Sequence, residues 1–338
     1  MIVTITPNPS IDRTLRVQEV RRGEVIRARG ASSEAGGKGI NVSRALAVMG
    51  VPTIAVAPAS AATRTRLDDL IDGSTSLRTI PIAGDIRVNL SLVEPDGTVT
   101  KINEPGPTLS EREAALFLEA VVDLVQKALA ATSAPADPSA PADAAGAGPA
   151  AVGSARDFWV VGCGSLPPGL PDPFYASLAA RLPPSVRMAV DADRSALRAV
   201  IRTPIALLKP NRAELEEVIG RSLPTLGDVA DAASELVAGG AERVLVSLGP
   251  DGALVSDRTG ACHAEAAVDD VANTVGAGDA LLAGFLAGGA TAAALPTAVA
   301  WSVAACRAPG TQMPAVTGRD TAAVIVRPTV DRARRLAS

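Results

Sequence analysis

The sequence predicts an α/β protein built around a mostly parallel sheet with helices on both faces. Short runs of β-branched residues recur along the chain, helical patterns separate them, and 338 residues are enough for one large domain. Alternating strands and helices are typical of parallel sheets, which bind ligands at the carboxyl ends of their strands. The site is therefore expected at that edge.

The predicted strands of the main sheet are, in chain order, IVTIT (2–6), DFWVVGC (157–163), VRMAVDA (186–192), IALLKPN (205–211) and RVLVSL (243–248). Each is followed by a helical pattern. This arrangement places the core in residues 1–12, 31–84 and 107–330.

Two segments, 13–30 and 85–106, alternate polar and apolar residues instead, and Pro95-Asp96-Gly97 marks a hairpin turn in the second. They predict a small antiparallel sheet able to cover a site. Residues 131–154 are rich in Ala, Pro and Gly without periodicity, which is typical of a mobile surface insertion within the core.

Composition favours a small-molecule partner. A net charge of -4, with only two Trp, one Tyr and four Phe, offers neither a basic surface nor stacking platforms for nucleic acid. No charge interrupts Ala280 to Cys306, but Gly288-Gly289 and Pro296 divide this stretch into two helix-sized pieces, so buried helices are expected rather than a membrane span. The three scattered cysteines and the absence of a leader pattern predict a cytoplasmic protein.

Several chemistries are excluded by motif. His263 is the single histidine and no GxSxG occurs, which argues against a Ser-His-Asp hydrolase and a histidine zinc site. No GxGxxG follows the first strand, and the spacing around Lys38 does not match a P-loop.

The stretch TVGAGDALLAGF (274–285) places three small residues and Asp279 at the start of a helix. Free amides there can bind anionic oxygens, and the helix dipole favours a carboxylate in the first turn. Asp279 is thus either a capping residue or a base beside a phosphoryl group, whose transfer needs positioning, charge stabilisation and an oriented nucleophile.

Two further segments also allow two interpretations. EAGGKGIN (34–41) is either a glycine-rich helix start packed on a strand or a sugar-binding turn that uses Asn41. Asn211 and Glu214 have the spacing of a capping box, but they could also hold Mg²⁺ through water, since Mg²⁺ keeps several waters.

The motifs TPNPSID, GGKGIN, IRVN, INEPGP, GSLPPG, KPN with Glu214, VSLGPDGAL and TVGAGD, taken in order, resemble the ribokinase-like carbohydrate kinases, in the branch of bacterial 1-phosphofructokinases and tagatose-6-phosphate kinases. The resemblance runs from Met1 to about Gly310. It implies a three-layer αβα sandwich with a β lid that in many relatives also forms a homodimer interface.

The resemblance also implies ATP-dependent phosphorylation of fructose 1-phosphate to fructose 1,6-bisphosphate, with Mg²⁺. Asp279 falls on the catalytic base, and the amides of Gly276, Ala277 and Gly278 fall on the anion hole. Substrate-binding positions correspond to Asp12, Gly37, Lys38, Asn41, Arg87, Asn89 and Ser165. ATP-binding positions correspond to Asn211, Ser247, Gly249, Gly252 and Thr274, and the magnesium motif to Asn211 and Glu214.

The chain departs from the family pattern at three places. APASAATRTRLDD (57–69) replaces a Gly-Gly-Asp loop, Cys163 stands where serine is common, and Asn273 where Ser or Asp is usual. Glu24 occupies the place of a lid lysine that holds the 6-phosphate in minor 6-phosphofructokinases, which favours fructose 1-phosphate over tagatose 6-phosphate or fructose 6-phosphate. A sugar-phosphate-responsive regulatory protein is the alternative outside enzymes.

Overall fold

The computed structural model describes residues 1–71, 73, 75–133, 157–268, 270–308, 310–311 and 313–337. The strands within these residues are β1 (Ile2–Ile5), β2 (Ser10–Arg16), β3 (Gly30–Gly36), β4 (Thr53–Ala59), β5 (Ser76–Pro81), β6 (Arg87–Val93), β7 (Val99–Asn103), β8 (Phe158–Gly164), β9 (Val186–Ala192), β10 (Leu207–Leu208), β11 (Arg243–Ser247), β12 (Ala253–Asp257), β13 (Gly260–Glu265) and β14 (Ile325–Arg327).

The helices are α1 (Lys38–Val48), α2 (Ala61–Leu70), α3 (Glu111–Ser133), α4 (Phe174–Arg181), α5 (Arg194–Val200), α6 (Arg212–Ile219), α7 (Leu226–Ala238), α8 (Ala277–Ala287), α9 (Leu295–Arg307) and α10 (Gly318–Ala322). Residues 131–133 of the predicted insertion thus end α3. The remainder, 134–154, lies outside the described residues.

The large sheet has the strand order β14-β13-β12-β11-β10-β9-β8-β1-β4-β5 in the described part of the chain. The pairs from β11 to β5 are parallel, whereas β12, β13 and β14 add an antiparallel edge. The mostly parallel sheet is confirmed. The expectation that a helix follows RVLVSL is wrong, because a short turn at Gly249–Asp251 leads straight into β12.

Alternate residues of the central strands enter two separate cores, which establishes the three-layer sandwich. Val3 and Val160 pack in one core with helices α3 to α7. Ile2 and Val161 pack in the other with α1, α8 and α9. Strands buried on both faces are continuously apolar, which explains why β1 and β8 lack a polar face.

The small sheet has the order β3-β2-β6-β7. Its two outer pairs are antiparallel, as predicted, but the central pair of β2 and β6 is parallel. The predicted turn is present, since Glu94 accepts from the Gly97 amide and Gly97 has a φ of 88°. Ile11 and Ala35 pack on α1, α2 and β4, so this sheet is fixed at its base to the large one.

The uncharged stretch from Ala280 to Cys306 forms α8 and α9, which pack against each other in the second core. The prediction of two buried helices is confirmed. No helix in the described ranges has the length and apolarity that crossing a membrane requires.

Candidate active site

Polar residues, the predicted Ser165 and Ser247 among them, converge at the carboxyl ends of the parallel strands. Ser165 follows β8, Asp191 is the next-to-last residue of β9, Lys209 follows β10, and Ser247 ends β11. Because these strands are neighbours in the sheet, their polar ends form one row.

Helix α8 directs its amino terminus at this row. Its N-cap, Gly276, adopts the left-handed conformation with a φ of 86°, and it has no side chain with which to cap the helix. The Ala277 amide makes one long bond of 3.4 Å to the Thr274 carbonyl, and Thr274 itself is exposed. The amides of the first turn and the positive end of the helix dipole therefore face the site, as an anion-binding site requires.

Asp279 lies in this first turn and is 7% exposed. Its Oδ2 accepts a hydrogen bond of 2.9 Å from the Asn41 side-chain amide. Burial, assisted by the charge of Asp191, raises the pKa of Asp279 to about 7, although Asn41, Lys38 and Lys209 oppose the rise. A carboxylate with a pKa near neutrality suits a general base, and a mere capping residue would not need one.

Helix α1 supplies the opposite wall. Its N-cap, Gly37, has a φ of 124°, and a Cβ there would lie 2.6 Å from the Thr6 methyl group. A Cβ on Gly39 would lie 2.5 Å from Thr6 Oγ1. Close packing on the strand thus explains both glycines, and the same packing holds Asn41 against Asp279. The Asn41 carbonyl oxygen is buried without a hydrogen-bond partner among the described residues, which leaves it available to a ligand.

Lys38, the first residue of α1, forms ion pairs with carboxylates at the end of β9 and at the start of α6. Its Nζ lies 3.0 Å from Asp191 Oδ1, 2.9 Å from Asp193 Oδ1 and 3.8 Å from Glu214 Oε1. Burial alone would lower the pKa of Lys38, but these three carboxylates raise it well above its ordinary value. Lys38 therefore stays charged.

The small sheet brings a polar cluster over this wall. Asn89 donates to Asp12 Oδ1 at 2.9 Å and to Ser10 Oγ at 3.1 Å, and Ser10 donates to the same Asp12 oxygen at 2.7 Å. Burial lowers the pKa of Arg87, although Asp12 and Asp193 oppose the shift. Its Nε has no hydrogen-bond partner in the described chain, so the guanidinium keeps donor capacity.

Ser165 lies on the other side of the same opening. The side-chain amide of Asn8 donates to Ser165 Oγ at 3.3 Å and to the Pro105 carbonyl at 3.0 Å. This links the end of β8 to the segment that follows β7.

Asn211 and Glu214 form a complete capping box at the start of α6. Asn211 Oδ1 accepts from the Glu214 amide, and Glu214 Oε2 accepts from the Asn211 amide, both at 2.8 Å. Burial raises the pKa of Glu214, and its Oε1 remains outside the box, directed toward Lys38. The two interpretations of this pair are compatible, because one oxygen caps the helix and the other faces the site.

The predicted nucleotide loop lies beside this box. Ser247 bridges to Asn211, and its amide donates to the Pro210 carbonyl at 3.2 Å. Gly249 and Gly252 have φ values of 60° and 84°. A Cβ on Gly252 would clash with Ala264, whereas Gly249 faces open space. Packing thus explains Gly252 but not Gly249.

The carboxyl-terminal tail holds this loop in place. Asp251 accepts from Arg334 at 3.0 Å and from the Ala337 amide at 2.7 Å. His263 Nε2 lies 2.7 Å from the Asp251 carbonyl oxygen. The tail begins after residue 330, where the sequence-based boundary of the core was placed.

A second set of hydrogen bonds supports the turn at the start of α8. Asn273 donates to the Gly310 carbonyl at 3.3 Å, and Thr311 donates to Glu34 Oε2 through its hydroxyl at 2.6 Å. Arg44 in turn donates to Thr311 Oγ1 at 3.1 Å. Strand β3 of the small sheet is therefore connected to the segment that precedes α8.

Residues 57–69, where the sequence departs from the family pattern, form the end of β4 and most of α2. Ser60 accepts from the Thr63 amide at 3.2 Å and caps α2, and its hydroxyl donates to Asp85 at 2.6 Å. The chain thus enters α2 directly after β4. Cys163 is buried inside β8.

Sequence reasoning missed Asp191, Asp193 and Lys209 as site residues. A signal for them existed, because all three lie within two residues of the carboxyl end of a predicted strand in a parallel sheet. What the sequence did not contain was their mutual distance, which depends on the order of β9 and β10 in the sheet.

Comparison with known proteins gives the same architecture. The family model for the pfkB family of carbohydrate kinases matches residues 6–316 of this chain. The chain is 30% identical over 290 residues to a 1-phosphofructokinase of Bacillus subtilis, covering 85% of each chain. It is 31% identical over 309 residues to the ATP-dependent 6-phosphofructokinase isozyme 2 of Escherichia coli, covering 90% of each.

A solved structure is similarly close. Phosphofructokinase-2 from Escherichia coli, crystallised in complex with potassium, superimposes with a TM-score of 0.78 at 29% identity. The superposition covers 95% of this chain and 96% of that one.

Proposed function

Because the chain belongs to the pfkB family of carbohydrate kinases, we propose that it catalyses the ATP-dependent phosphorylation of fructose 1-phosphate to fructose 1,6-bisphosphate. As a member of that family, it is a phosphotransferase that acts on a sugar hydroxyl. The proposal adds the substrate, the nucleotide and the residue roles.

The observation that carries the proposal is Asp279, buried at the amino terminus of α8 with a pKa of about 7. In its ionised form Asp279 accepts the proton of the attacking sugar hydroxyl, while Asn41 fixes the carboxylate through the 2.9 Å bond. The hydroxyl oxygen forms the new bond to the terminal phosphorus of ATP, the bond to the β-phosphate oxygen breaks, and ADP leaves. The amides of Gly276, Ala277 and Gly278 stabilise the charge on the transferring group.

The nucleotide lies along the other half of the row in this proposal. Ser247, Gly249, Gly252 and Thr274 contact ATP, and the open space above Gly249 suits a ligand that approaches the backbone. Asn211 and Glu214 would hold Mg²⁺ through water, since no three His, Cys, Asp or Glu side chains of the described residues cluster as direct ligands. Bound there, Mg²⁺ supplies charge neutralisation for the triphosphate.

The phosphosugar lies under the small sheet in this proposal. Asp12, Asn89 and Asn41 bind hydroxyls, assisted by Gly37, Lys38 and Ser165, and Arg87 binds the phosphate, for which the planar guanidinium is well suited. Glu24 is exposed and lies 4.0 Å from Arg21, so its carboxylate is partly compensated but provides no cation for a 6-phosphate. These features favour fructose 1-phosphate.

Turnover of three phosphosugars side by side tests the substrate. The release of ADP is measured with fructose 1-phosphate, tagatose 6-phosphate and fructose 6-phosphate, each with Mg-ATP. We expect kcat/KM to be at least about tenfold higher for fructose 1-phosphate, corresponding to about 1.4 kcal/mol of preferential transition-state binding. A higher value for either 6-phosphate would replace it as substrate, and binding of a phosphosugar without turnover of any of them would identify a regulatory protein.

The lid also supports a homodimer. Val25 is 81% exposed, Ile102 54% and Val99 47%, and all three belong to the small sheet or its connecting hairpin. Apolar exposure of this kind favours burial against a second copy of the chain. Light scattering on the purified protein, repeated with Ile102→Glu, tests this: a dimer that the variant dissociates is expected, and a wild-type monomer would contradict it.

A further inference from the structure

We propose that Asn8 is a positioning residue for the phosphosugar, because it keeps the hydroxyl proton of Ser165 directed at the ligand. The inference rests on the proposed function, in which Ser165 contacts the sugar. It adds a residue to which no motif had assigned a role in the site. It also gives Ser165 a defined role, that of a hydrogen-bond donor.

Asn8 lies in the connection between β1 and β2, where it is 3% exposed. Pro7 and Pro9 flank it. The ring of Pro7 fixes its own φ, and Pro9 restricts the backbone of Asn8 to extended conformations. The side-chain amide therefore projects from a buried backbone that has little freedom to move.

The Pro105 carbonyl determines which way the Asn8 amide points. This carbonyl can only accept a hydrogen bond, and it lies 3.0 Å from Asn8 Nδ2. The second hydrogen of the same nitrogen is donated to Ser165 Oγ, 3.3 Å away. Turning the amide over would place two acceptors opposite each other at Pro105, so both N–H groups stay on this side.

Gly106 holds the other side of the amide. It has a φ of 95°, and a Cβ there would clash with Asn8 Oδ1. That oxygen is buried and has no hydrogen-bond partner among the described residues. A buried acceptor without a partner costs free energy, and the fold tolerates this cost where both N–H groups of the same side chain are used.

The bond from Asn8 leaves the Ser165 hydroxyl hydrogen to be donated elsewhere. A hydroxyl has one hydrogen and two lone pairs, and Asn8 occupies a lone pair. Within the described part of the chain, the Ser165 side chain makes no second hydrogen bond, so its hydrogen has no acceptor there. Ser165 is half-buried and directly follows β8, at the edge of the sheet where the site lies. An oxygen of the bound phosphosugar would accept this hydrogen.

The segment that Asn8 contacts also holds Arg87. Arg87 Nη1 donates to the Glu104 carbonyl at 3.4 Å, and Asn8 donates to the next carbonyl, that of Pro105. Two proposed sugar contacts, Arg87 and Ser165, are thus ordered around one segment between β7 and α3. Asn8 is the buried side chain that joins this segment to Ser165.

The competing explanation is that Asn8 only stabilises the fold. Loss of its two donors would then disturb the site whether or not Ser165 has a hydroxyl. A double-mutant cycle separates the two roles, because a residue that acts through Ser165 has no further effect once that hydroxyl is gone.

The experiment measures phosphosugar affinity by calorimetry, and the KM for ATP, for Asn8→Leu, Ser165→Ala and the double variant. Leucine has as many side-chain heavy atoms as asparagine but no donor, and Asn8→Ala takes its place if the leucine variant does not fold. Ser177→Ala, on the exposed surface of α4, is the matched control. The titrant is fructose 1-phosphate, or whichever of the three phosphosugars the wild-type protein binds most tightly.

We expect Ser165→Ala to weaken phosphosugar binding about three- to tenfold, as loss of one hydrogen bond does, and Asn8→Leu to weaken it at least about threefold. The double variant should bind within about twofold of Ser165→Ala. The KM for ATP should stay within about twofold of the wild-type value throughout, because the effect is confined to the sugar.

Three results would overturn the proposal: a further loss of more than about twofold in the double variant, wild-type affinity in Asn8→Leu, or a KM for ATP that rises in step with the loss of sugar affinity. If the wild-type protein binds a phosphosugar but phosphorylates none, only the proposed function fails, and the affinities still decide the role of Asn8. If it binds none of the three, both proposals fail.

Discussion

Replacing Asp279 by asparagine should stabilise the protein at alkaline pH while it removes the proposed base. The folded structure raises the pKa of Asp279 from 3.8 to about 7. The folded state therefore binds the proton more tightly than the unfolded state does. Its stabilising contribution is complete below pH 4 and is lost as the pH rises through 7, because a charged carboxylate must then remain buried.

The size of the effect follows from the shift. At about 1.36 kcal/mol per pKa unit, the rise of about three units corresponds to about 4 kcal/mol lost between pH 4 and pH 8. Asparagine resembles the protonated acid in shape and has no charge to bury. Asp279→Asn should thus unfold several degrees above the wild-type protein at pH 8 and within about a degree of it at pH 4.5.

Thermal unfolding by calorimetry at both pH values checks this prediction. Asp123→Asn, on the exposed surface of α3, is the control for loss of a carboxylate as such. A melting temperature of Asp279→Asn that differs from the wild type equally at both pH values would refute the reasoning, because the difference would then not come from ionisation of Asp279.

Three further substitutions test other parts of the site. Arg87→Met should raise the KM for the phosphosugar at least about tenfold and leave the KM for ATP within twofold, because only the sugar phosphate loses its guanidinium partner. Steady-state kinetics with both substrates varied measure the two values. A parallel rise of both KM values would contradict this role of Arg87. Asp251→Asn weakens the attachment of the carboxyl-terminal tail to the nucleotide loop, so the KM for ATP should rise while that for the sugar stays constant; an unchanged KM for ATP would disprove the role of the tail. In denaturant titrations, Gly37→Ala should lower the free energy of unfolding by about 1–3 kcal/mol more than Gly50→Ala does. Both glycines have a positive φ, but only at Gly37 would a Cβ meet Thr6. Equal losses of stability in the two variants would contradict the packing argument.

The sequence predicts those features of the site that are local in the chain. Gly276 to Asp279 form one turn, so their arrangement follows from glycine conformations and the start of a helix. The capping box of Asn211 and Glu214 is local in the same sense, and the structure contains it.

Features that depend on the order of the strands were not predictable. Asp191 and Lys209 meet because β9 and β10 are neighbours, and Lys38 reaches Asp191 from a helix more than 150 residues earlier. The antiparallel edge was missed for a related reason, because the five residues between β11 and β12 contain a short helical turn at Gly249–Asp251 that resembles a strand-to-helix connection. IALLKPN also forms only two residues of regular strand, since Pro204 and Pro210 on either side provide no amide for a ladder.

The most direct test of Asp279 as the base is the pH dependence of kcat/KM for fructose 1-phosphate, which reports ionisations of the free enzyme. Substrate phosphates also titrate near pH 6, so the informative quantity is the ratio of wild-type to Asp279→Asn values at each pH, in which substrate ionisation cancels. We predict a ratio of about 10² or more at pH 8 that falls about tenfold between pH 8 and pH 6, as a base with a pKa of about 7 becomes protonated. A ratio within a fewfold of one, or one that stays constant from pH 5.5 to 8.5, would contradict the account.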